Sequence, residues 1–170
     1  GGNDVDSSYV GRRAAMAAYR EYSPDYGLAG DESAIYQAFT IGRVRFIVTD
    51  GRSARDLDNG DPAPRDTMLG AEQKAWLQQE LVAARDSAAL IVWANPDPWI
   101  ATAEPGADTW GGYADERAEI ANFIADNRID NLVMVSGDAH MVAIDDGTNT
   151  NYSAGGGAGF PLLHVAALDR

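Results

Sequence analysis

Two apolar segments, each preceded by a helical pattern, constrain the fold of this chain most strongly. Residues Ala89–Trp93 and Asn131–Val135 are short runs rich in apolar side chains, and their length is that of a buried strand. Before them, Gly70–Asp86 and Ala114–Asn127 repeat apolar residues at the spacing of one helix face. A helix between two buried strands indicates a βαβ unit, in which the strands are parallel in one sheet.

Shorter segments flank this unit. Ile35–Thr40 and Arg43–Val48 alternate in polarity on either side of a turn at Ile41-Gly42 and predict an antiparallel hairpin. A helix is predicted over Tyr9–Tyr22, and final strands over Met141–Ile144 and Leu162–Leu168. We therefore expect an α/β fold with mixed β-sheets flanked by helices, forming a single domain over residues 1–170.

The charge balance and the absence of cysteine exclude several classes of function. The 170 residues carry a formal net charge of -13, which disfavours a nucleic-acid surface or an anionic membrane surface, because phosphate groups attract Lys and Arg. A chain without cysteine has no disulfide, thiolate metal site or cysteine nucleophile. No apolar run approaches the roughly 20 residues of a membrane span, and the first residues lack the pattern of a signal peptide.

The segment Ser136-Gly-Asp-Ala-His140 follows the second apolar strand directly. Asp138 and His140 therefore emerge together at a strand end, where a carboxylate and an imidazole two residues apart can reach the same metal ion or a metal pair. The alternatives are that Asp138 caps a turn and that His140 is a hydrogen-bonded structural residue. The other histidine, His164, lies in an apolar run and is interpreted as a core or supporting residue.

Two further groups are candidates for substrate binding. Asp50 and Arg52 follow the hairpin; Arg52 is placed either to grip a phosphate oxygen or to keep Asp50 ionised in a structural ion pair. Trp110 and Tyr113 stand next to glycines in a loop and either line a substrate pocket or hold the loop on the core. The acidic segment Asp56–Asp61 does not match an EF-hand, because its glycine stands at the fifth position.

Four blocks in order along the chain together resemble the PhoD-like alkaline phosphatases, a branch of the metallophosphoesterases. They are Ala38–Arg55, Met68–Leu77, Trp110–Tyr113 and Ser136–His140. The resemblance implies that the chain is the C-terminal half of an α/β/β/α sandwich, with the N-terminal portion of the catalytic domain absent.

The same resemblance implies a metal-dependent phosphatase or phosphodiesterase acting on small phosphoesters. Asp138 and His140 match the family's last metal-binding segment, and Asn3 is a further candidate ligand. The remaining ligands and the catalytic residue, a histidine in the family, are expected before Gly1. The metals implied are Ca²⁺ and Fe³⁺, with Mn²⁺ or Zn²⁺ as alternatives.

The sequence departs from the family at two positions of the expected site. The usual Asp-Thr-Arg is Asp-Gly-Arg at residues 50–52, and no histidine follows Trp93, where Asn95 or Asp97 are possible replacements. Two other functions stay open: a non-catalytic binding or scaffold module, and an acidic calcium-binding surface domain. Family resemblance also implies an extracellular or cell-envelope location, and an uncovered apolar sheet surface would allow a homodimer.

Overall fold

The computed structural model describes residues 9–30, 33–56 and 67–165. The helices and strands are α1 (Arg12–Tyr22), β1 (Gln37–Ile41), β2 (Val44–Val48), α2 (Gly70–Arg85), β3 (Leu90–Ala94), α3 (Ala114–Asp126), β4 (Leu132–Ser136), β5 (Ala143–Asp145) and β6 (Leu162–His164). Each predicted element is present, with its ends shifted by a few residues. Residues 166–168 of the predicted final strand lie outside the described residues.

The six strands form one mixed sheet in the order β1-β2-β3-β4-β6-β5. Strands β2, β3, β4 and β6 are parallel to their neighbours in this series, whereas β1 and β5 add antiparallel edges. The predicted hairpin and the predicted βαβ unit are both confirmed. The chain therefore has the expected α/β fold with a mixed sheet.

Helices α2 and α3 cover one face of this sheet. Leu77 and Leu81 of α2 and Ile120 of α3 are completely buried, and they belong to one apolar cluster with Ile91 and Met134 of the sheet. Alternate residues along each strand point to this face, so a strand with period two supplies half of its side chains to the core. Among the described residues, no helix is both long enough and apolar enough to cross a membrane.

The other face of the sheet is also apolar, but the described residues cover it less. Phe46 is half-buried and pairs with Val92, which in turn pairs with Val133 of β4. Towards the last strands the apolar residues are exposed, with 37% for Leu163 and 81% for Ile144. A sheet with two apolar faces is normally covered on both sides, so this face has the character of a contact surface.

Candidate active site at the strand ends

Polar residues gather where the parallel strands end. Beyond the named strands, the ladder continues with Thr49 N donating to Ala94 O at 3.0 Å, and Asn95 N donating to Val135 O at 2.9 Å. Val165 N then donates to Ser136 O at 2.9 Å. The residues after β2, β3, β4 and β6 consequently leave the sheet at one edge, which is where open α/β sheets place their ligand sites.

Asp138 and His140 lie in the turn that follows β4, and both side chains are exposed. Their backbones are left-handed, with φ of 76° and 51°, a conformation that costs a non-glycine residue about 1 kcal/mol or more. The turn is tied back by Gly137 N, which donates to Pro96 O at 3.3 Å. The structure thus places the two predicted ligands in one strained turn, two residues apart and with accessible side chains.

Asp50 is buried and serves the turn after β2. Its Oδ1 accepts from the backbone N–H of Arg52 and of Ser53, both at 3.0 Å, and its Oδ2 accepts from Ile35 N at 3.1 Å and from the Ser53 hydroxyl. These bonds fix the path of the chain from the strand to Arg52. The role of Asp50 in substrate binding stays a prediction.

Arg52 pairs with Asp108, from the loop before α3. The guanidinium makes two parallel hydrogen bonds, from Nη1 to Oδ1 and from Nη2 to Oδ2, each 3.0 Å long. The structural alternative raised above, an ion pair between the side chains of Arg52 and Asp50, is not the arrangement found. Burial acts to lower the pKa of Arg52, but the hydrogen bond to Asp108 and the charges of Asp97, Asp108 and Asp138 raise it overall.

A second arginine, Arg55, also contacts Asp108. Its side chain is 2% exposed, and its Nη2 donates to Asp97 Oδ1 at 3.0 Å while Nη1 donates to Asp108. Its Nε donates to Gly51 O at 2.9 Å. Arg52, Arg55, Asp97 and Asp108 therefore form a network of alternating charges, called the Arg–Asp network below.

Asp97 is a buried acid of this network with a strongly raised pKa. It is 1% exposed, and its Oδ2 has no hydrogen-bond partner among the described residues. Burial raises the pKa of Asp97 to about 6, although the charges of Arg55 and Arg52 act to lower it. A Cβ atom at Gly51 would lie 2.3 Å from Asp97 Oδ2, so the glycine in Asp-Gly-Arg leaves the space that this carboxylate occupies.

Trp110, Tyr113 and Asn95 are buried beneath the network. Both aromatic side chains have no exposed surface, and Trp110 Nε1 donates to Asn95 Oδ1 at 3.1 Å. The Asn95 amide also donates to Asp97 O at 2.7 Å, so both polar groups of the Asn95 side chain are used in structural hydrogen bonds. The burial favours the second interpretation given above, in which the aromatics hold their loop on the core.

His164, at the end of β6, supports the turn that carries the predicted ligands. It is opposite Ser136 in the sheet, its Nδ1 lies 2.9 Å from the Ser136 hydroxyl, and only 4% of it is exposed. Burial lowers the pKa of His164, while the charge of Asp138 acts in the opposite direction. The predicted core or supporting position is what the structure shows.

The described residues fit only part of a metal site. A carboxylate and an imidazole are donor types of zinc and iron sites, and the carboxylate also suits calcium. However, no group of three or more potential ligands occurs in the ranges 9–30, 33–56 and 67–165. Asp50 and Asp108 are already engaged by hydrogen bonds, and Asp97 is enclosed. The other candidate ligand, Asn3, lies outside the described residues.

Comparisons with known proteins agree on one family. The model of the family described as PhoD-like phosphatase matches residues 3–160. Alkaline phosphatase D of Bacillus subtilis strain 168 is 30% identical over 158 residues, which cover 82% of this chain and 27% of that protein.

One solved structure gives a matching result. It is described as the structure of PhoD and superimposes with a TM-score of 0.69 and 25% identity, covering 92% of this chain and 34% of that one. Another, described as GAP50, the anchor in the inner membrane complex of Plasmodium, reaches a TM-score of 0.40 at 17% identity over 77% of this chain and 36% of its own. This chain therefore spans about a quarter to a third of the length of the PhoD proteins it matches.

Proposed function

Because this chain belongs to the PhoD-like phosphatase family, we propose that it supplies one part of a metal-dependent site that hydrolyses phosphate mono- or diesters. In this proposal Asp138 and His140 are metal ligands, and Arg52 binds the phosphate group. The observation that carries the proposal is the strained turn after β4, which presents an accessible carboxylate and an accessible imidazole at the ligand-binding edge of the sheet.

Arg52 is suited to a phosphate by its remaining donors. A guanidinium has five N–H groups, and the paired hydrogen bonds to Asp108 use two of them. About a third of the side chain stays exposed, and the negative charge of Asp138 is close enough to raise its pKa. Asp108 thus fixes the orientation of the guanidinium, while its free edge remains available to a phosphate oxygen.

The site in this proposal needs further ligands, since two protein donors rarely hold a metal ion tightly. We propose that these ligands come from Asn3 and from the remainder of a longer protein. We also propose that this longer protein has an extracellular or cell-envelope location. The metals proposed are Ca²⁺ and Fe³⁺, with Mn²⁺ or Zn²⁺ as alternatives. A bound metal would polarise the phosphoester oxygen and lower the pKa of water.

The apolar face of the sheet also supports the proposal that the remainder of a longer protein completes the site. Its exposed residues, among them Leu163 and Ile144, would be covered by the remainder of a longer protein or, in the isolated chain, by a second copy. Light scattering coupled to gel filtration separates these cases: an Ile144→Glu variant, at a residue that is 81% exposed, should abolish any dimer that forms through this face. A dimer that survives the substitution would place the contact elsewhere.

The function is tested by hydrolysis of p-nitrophenyl phosphate and bis(p-nitrophenyl) phosphate with calcium plus iron, or with manganese or zinc. The protein encoded by the complete gene should be active, and Asp138→Asn and His140→Ala should each lower kcat/KM by at least about a hundredfold, as loss of a metal-site residue commonly does. Asp130→Asn is the matched control, because this exposed aspartate precedes the opposite end of β4.

Three results would lead away from the proposal. Inactivity of the complete protein with every metal would favour a binding or scaffold module with this fold. Full activity in the two site variants would remove Asp138 and His140 from the site. Calcium binding that survives His140→Ala without any turnover would favour an acidic calcium-binding domain.

A further inference from the structure

A pocket of about 280 Å³ lies against the turn that carries the predicted metal ligands. Ala139 and Met141, the neighbours of His140 in the sequence, form part of its wall. Ala143 of β5 and Trp99 of the loop after β3 form other parts. Because most of the wall is apolar, the pocket is suited to an organic group rather than to an ion.

One polar atom in this wall lacks a partner. His164 lines the pocket, and its Nε2 is shielded from solvent yet has no hydrogen-bond partner among the described residues. An unpaired buried donor or acceptor costs about 1–3 kcal/mol, so native structures seldom keep one unless a water molecule or a ligand completes it.

The other ring nitrogen limits what this partner can be. Nδ1 is occupied by the Ser136 hydroxyl at 2.9 Å, and a hydroxyl can either donate to it or accept from it. Burial lowers the pKa of His164 below its ordinary value, so at neutral pH and above the imidazole is neutral, and Nε2 is an acceptor in one tautomer and a donor in the other. A hydroxyl group complements Nε2 in both cases, whereas a carboxylate or an ammonium group complements it in only one.

The size of the pocket limits the rest of the ligand. An apolar cavity of roughly 150 Å³ holds one benzene molecule, so a single ring with a hydroxyl group fits the space lined by Trp99 and Met141. Nε2 itself is shielded from solvent, so a ligand would make this contact only after a side chain of the wall has moved. Met141 is 50% exposed and unbranched, which makes it easy to displace.

We propose that this pocket binds the alcohol that hydrolysis of the phosphoester releases, a neutral and mainly apolar alcohol of about one ring, with its hydroxyl group on His164 Nε2. The link to hydrolysis rests on the proposed function, but the binding does not. Binding in this pocket places the organic part of the substrate beside the turn of Asp138 and His140. The proposal therefore predicts a preference for aryl esters over esters of charged alcohols.

The experiment measures binding of phenol and of toluene, which has the same shape without the hydroxyl group, to the metal-free chain by NMR. The chain has two histidines, so the imidazole resonances of His164 are assigned with the His140→Ala variant. Phenol should shift them saturably and bind about three- to tenfold more tightly than toluene, the gain of one net hydrogen bond. Equal affinities, or no saturable shift with either probe, would overturn the proposal.

Three variants locate the binding. Ala143→Leu should abolish saturable binding of both probes, because Ala143 is opposite His164 in the sheet and lines the pocket. Val142→Leu is the matched control and should leave binding unchanged, since Val142 is 70% exposed. His164→Phe should keep toluene binding but remove the preference for phenol. Unchanged phenol binding in Ala143→Leu would place the probe elsewhere and overturn the assignment.

No metal, phosphate or turnover enters this measurement, so its failure is distinct from failure of the proposed function. Saturable phenol binding with an inactive complete protein would support the pocket and reject the hydrolase. If the complete protein is active but the chain shows no preference for phenol over toluene, the proposed hydrolase function is supported and the proposed ligand of the pocket is rejected.

Discussion

Replacing Asp97 by asparagine should change how the stability of the chain depends on pH. The pKa of Asp97 is raised to about 6 from an ordinary value of 3.8, because burial opposes the charged form more strongly than Arg55 and Arg52 favour it. The folded state therefore keeps the proton to higher pH than the unfolded state. Stability that is fully present below about pH 3.8 is lost as the pH rises through about 6.

The size of the effect follows from the two pKa values. A difference of about two units corresponds to roughly 3 kcal/mol between the acid and alkaline limits, and about 2 kcal/mol of it falls between pH 4.5 and pH 8. Asparagine cannot ionise, so its variant lacks this contribution. Relative to the Asp97→Asn variant, the parent chain should lose about 2 kcal/mol of unfolding free energy over that interval.

The assay is urea unfolding of both proteins at several pH values, followed by circular dichroism. Subtracting one profile from the other removes the contributions of the remaining titratable groups, and any constant cost of the amide appears as an offset without slope. Glu104→Gln, an exposed carboxylate in the same loop, controls for the loss of one negative charge. A flat difference between pH 4.5 and pH 8, or one of opposite sign, would refute the argument that burial dominates at Asp97.

Two further substitutions test the packing around the site. Gly51→Ala should destabilise the chain by about 1–3 kcal/mol, because the new Cβ would lie 2.3 Å from Asp97 Oδ2; Gly155→Ala, where nothing lies within 4 Å, should be nearly neutral in the same urea assay. Glu116→Ala should cost at least about 2 kcal/mol, because the buried carboxylate accepts from Met68 N at 2.6 Å and Thr67 Oγ1 at 2.7 Å. Glu119→Ala is its control, because the side chain of Glu119 is 52% exposed and forms only a surface ion pair with Lys74. A loss of more than about 1 kcal/mol of unfolding free energy in this control would contradict the comparison.

The parts of the fold that depend on local pattern could be predicted from the sequence. The alternation in Arg43–Val48 and the apolar run Ala89–Trp93 are signals within a few residues, and both became strands of the sheet. The positions of Asp138 and His140 followed from the strand directly before them. In each case the evidence and the structure that it predicts are close in the sequence.

The Arg–Asp network could not be predicted in the same way. Arg52 and Asp108 are 56 positions apart, and Arg55 and Asp97 are 42 apart, so their pairing depends on how two irregular loops fold over the sheet edge. The sequence suggested Asp50 as the partner of Arg52 because it is nearby, whereas Asp50 accepts from three backbone N–H groups and from the Ser53 hydroxyl. A glycine beside an acidic strand end was the one local sign, since close approach of a side chain to the backbone commonly requires it.

The burial of Trp110 has a practical consequence when its neighbours are considered. Its ring lies 5.1 Å from that of Trp99 and 6.4 Å from that of Trp93, and all three side chains are completely buried. Indoles held this close in a fixed orientation couple their electronic transitions, and a near-ultraviolet dichroism signal of this origin disappears when tertiary packing loosens. The loop that carries Asp97 and Asp108 therefore contains its own optical probe, which needs no label.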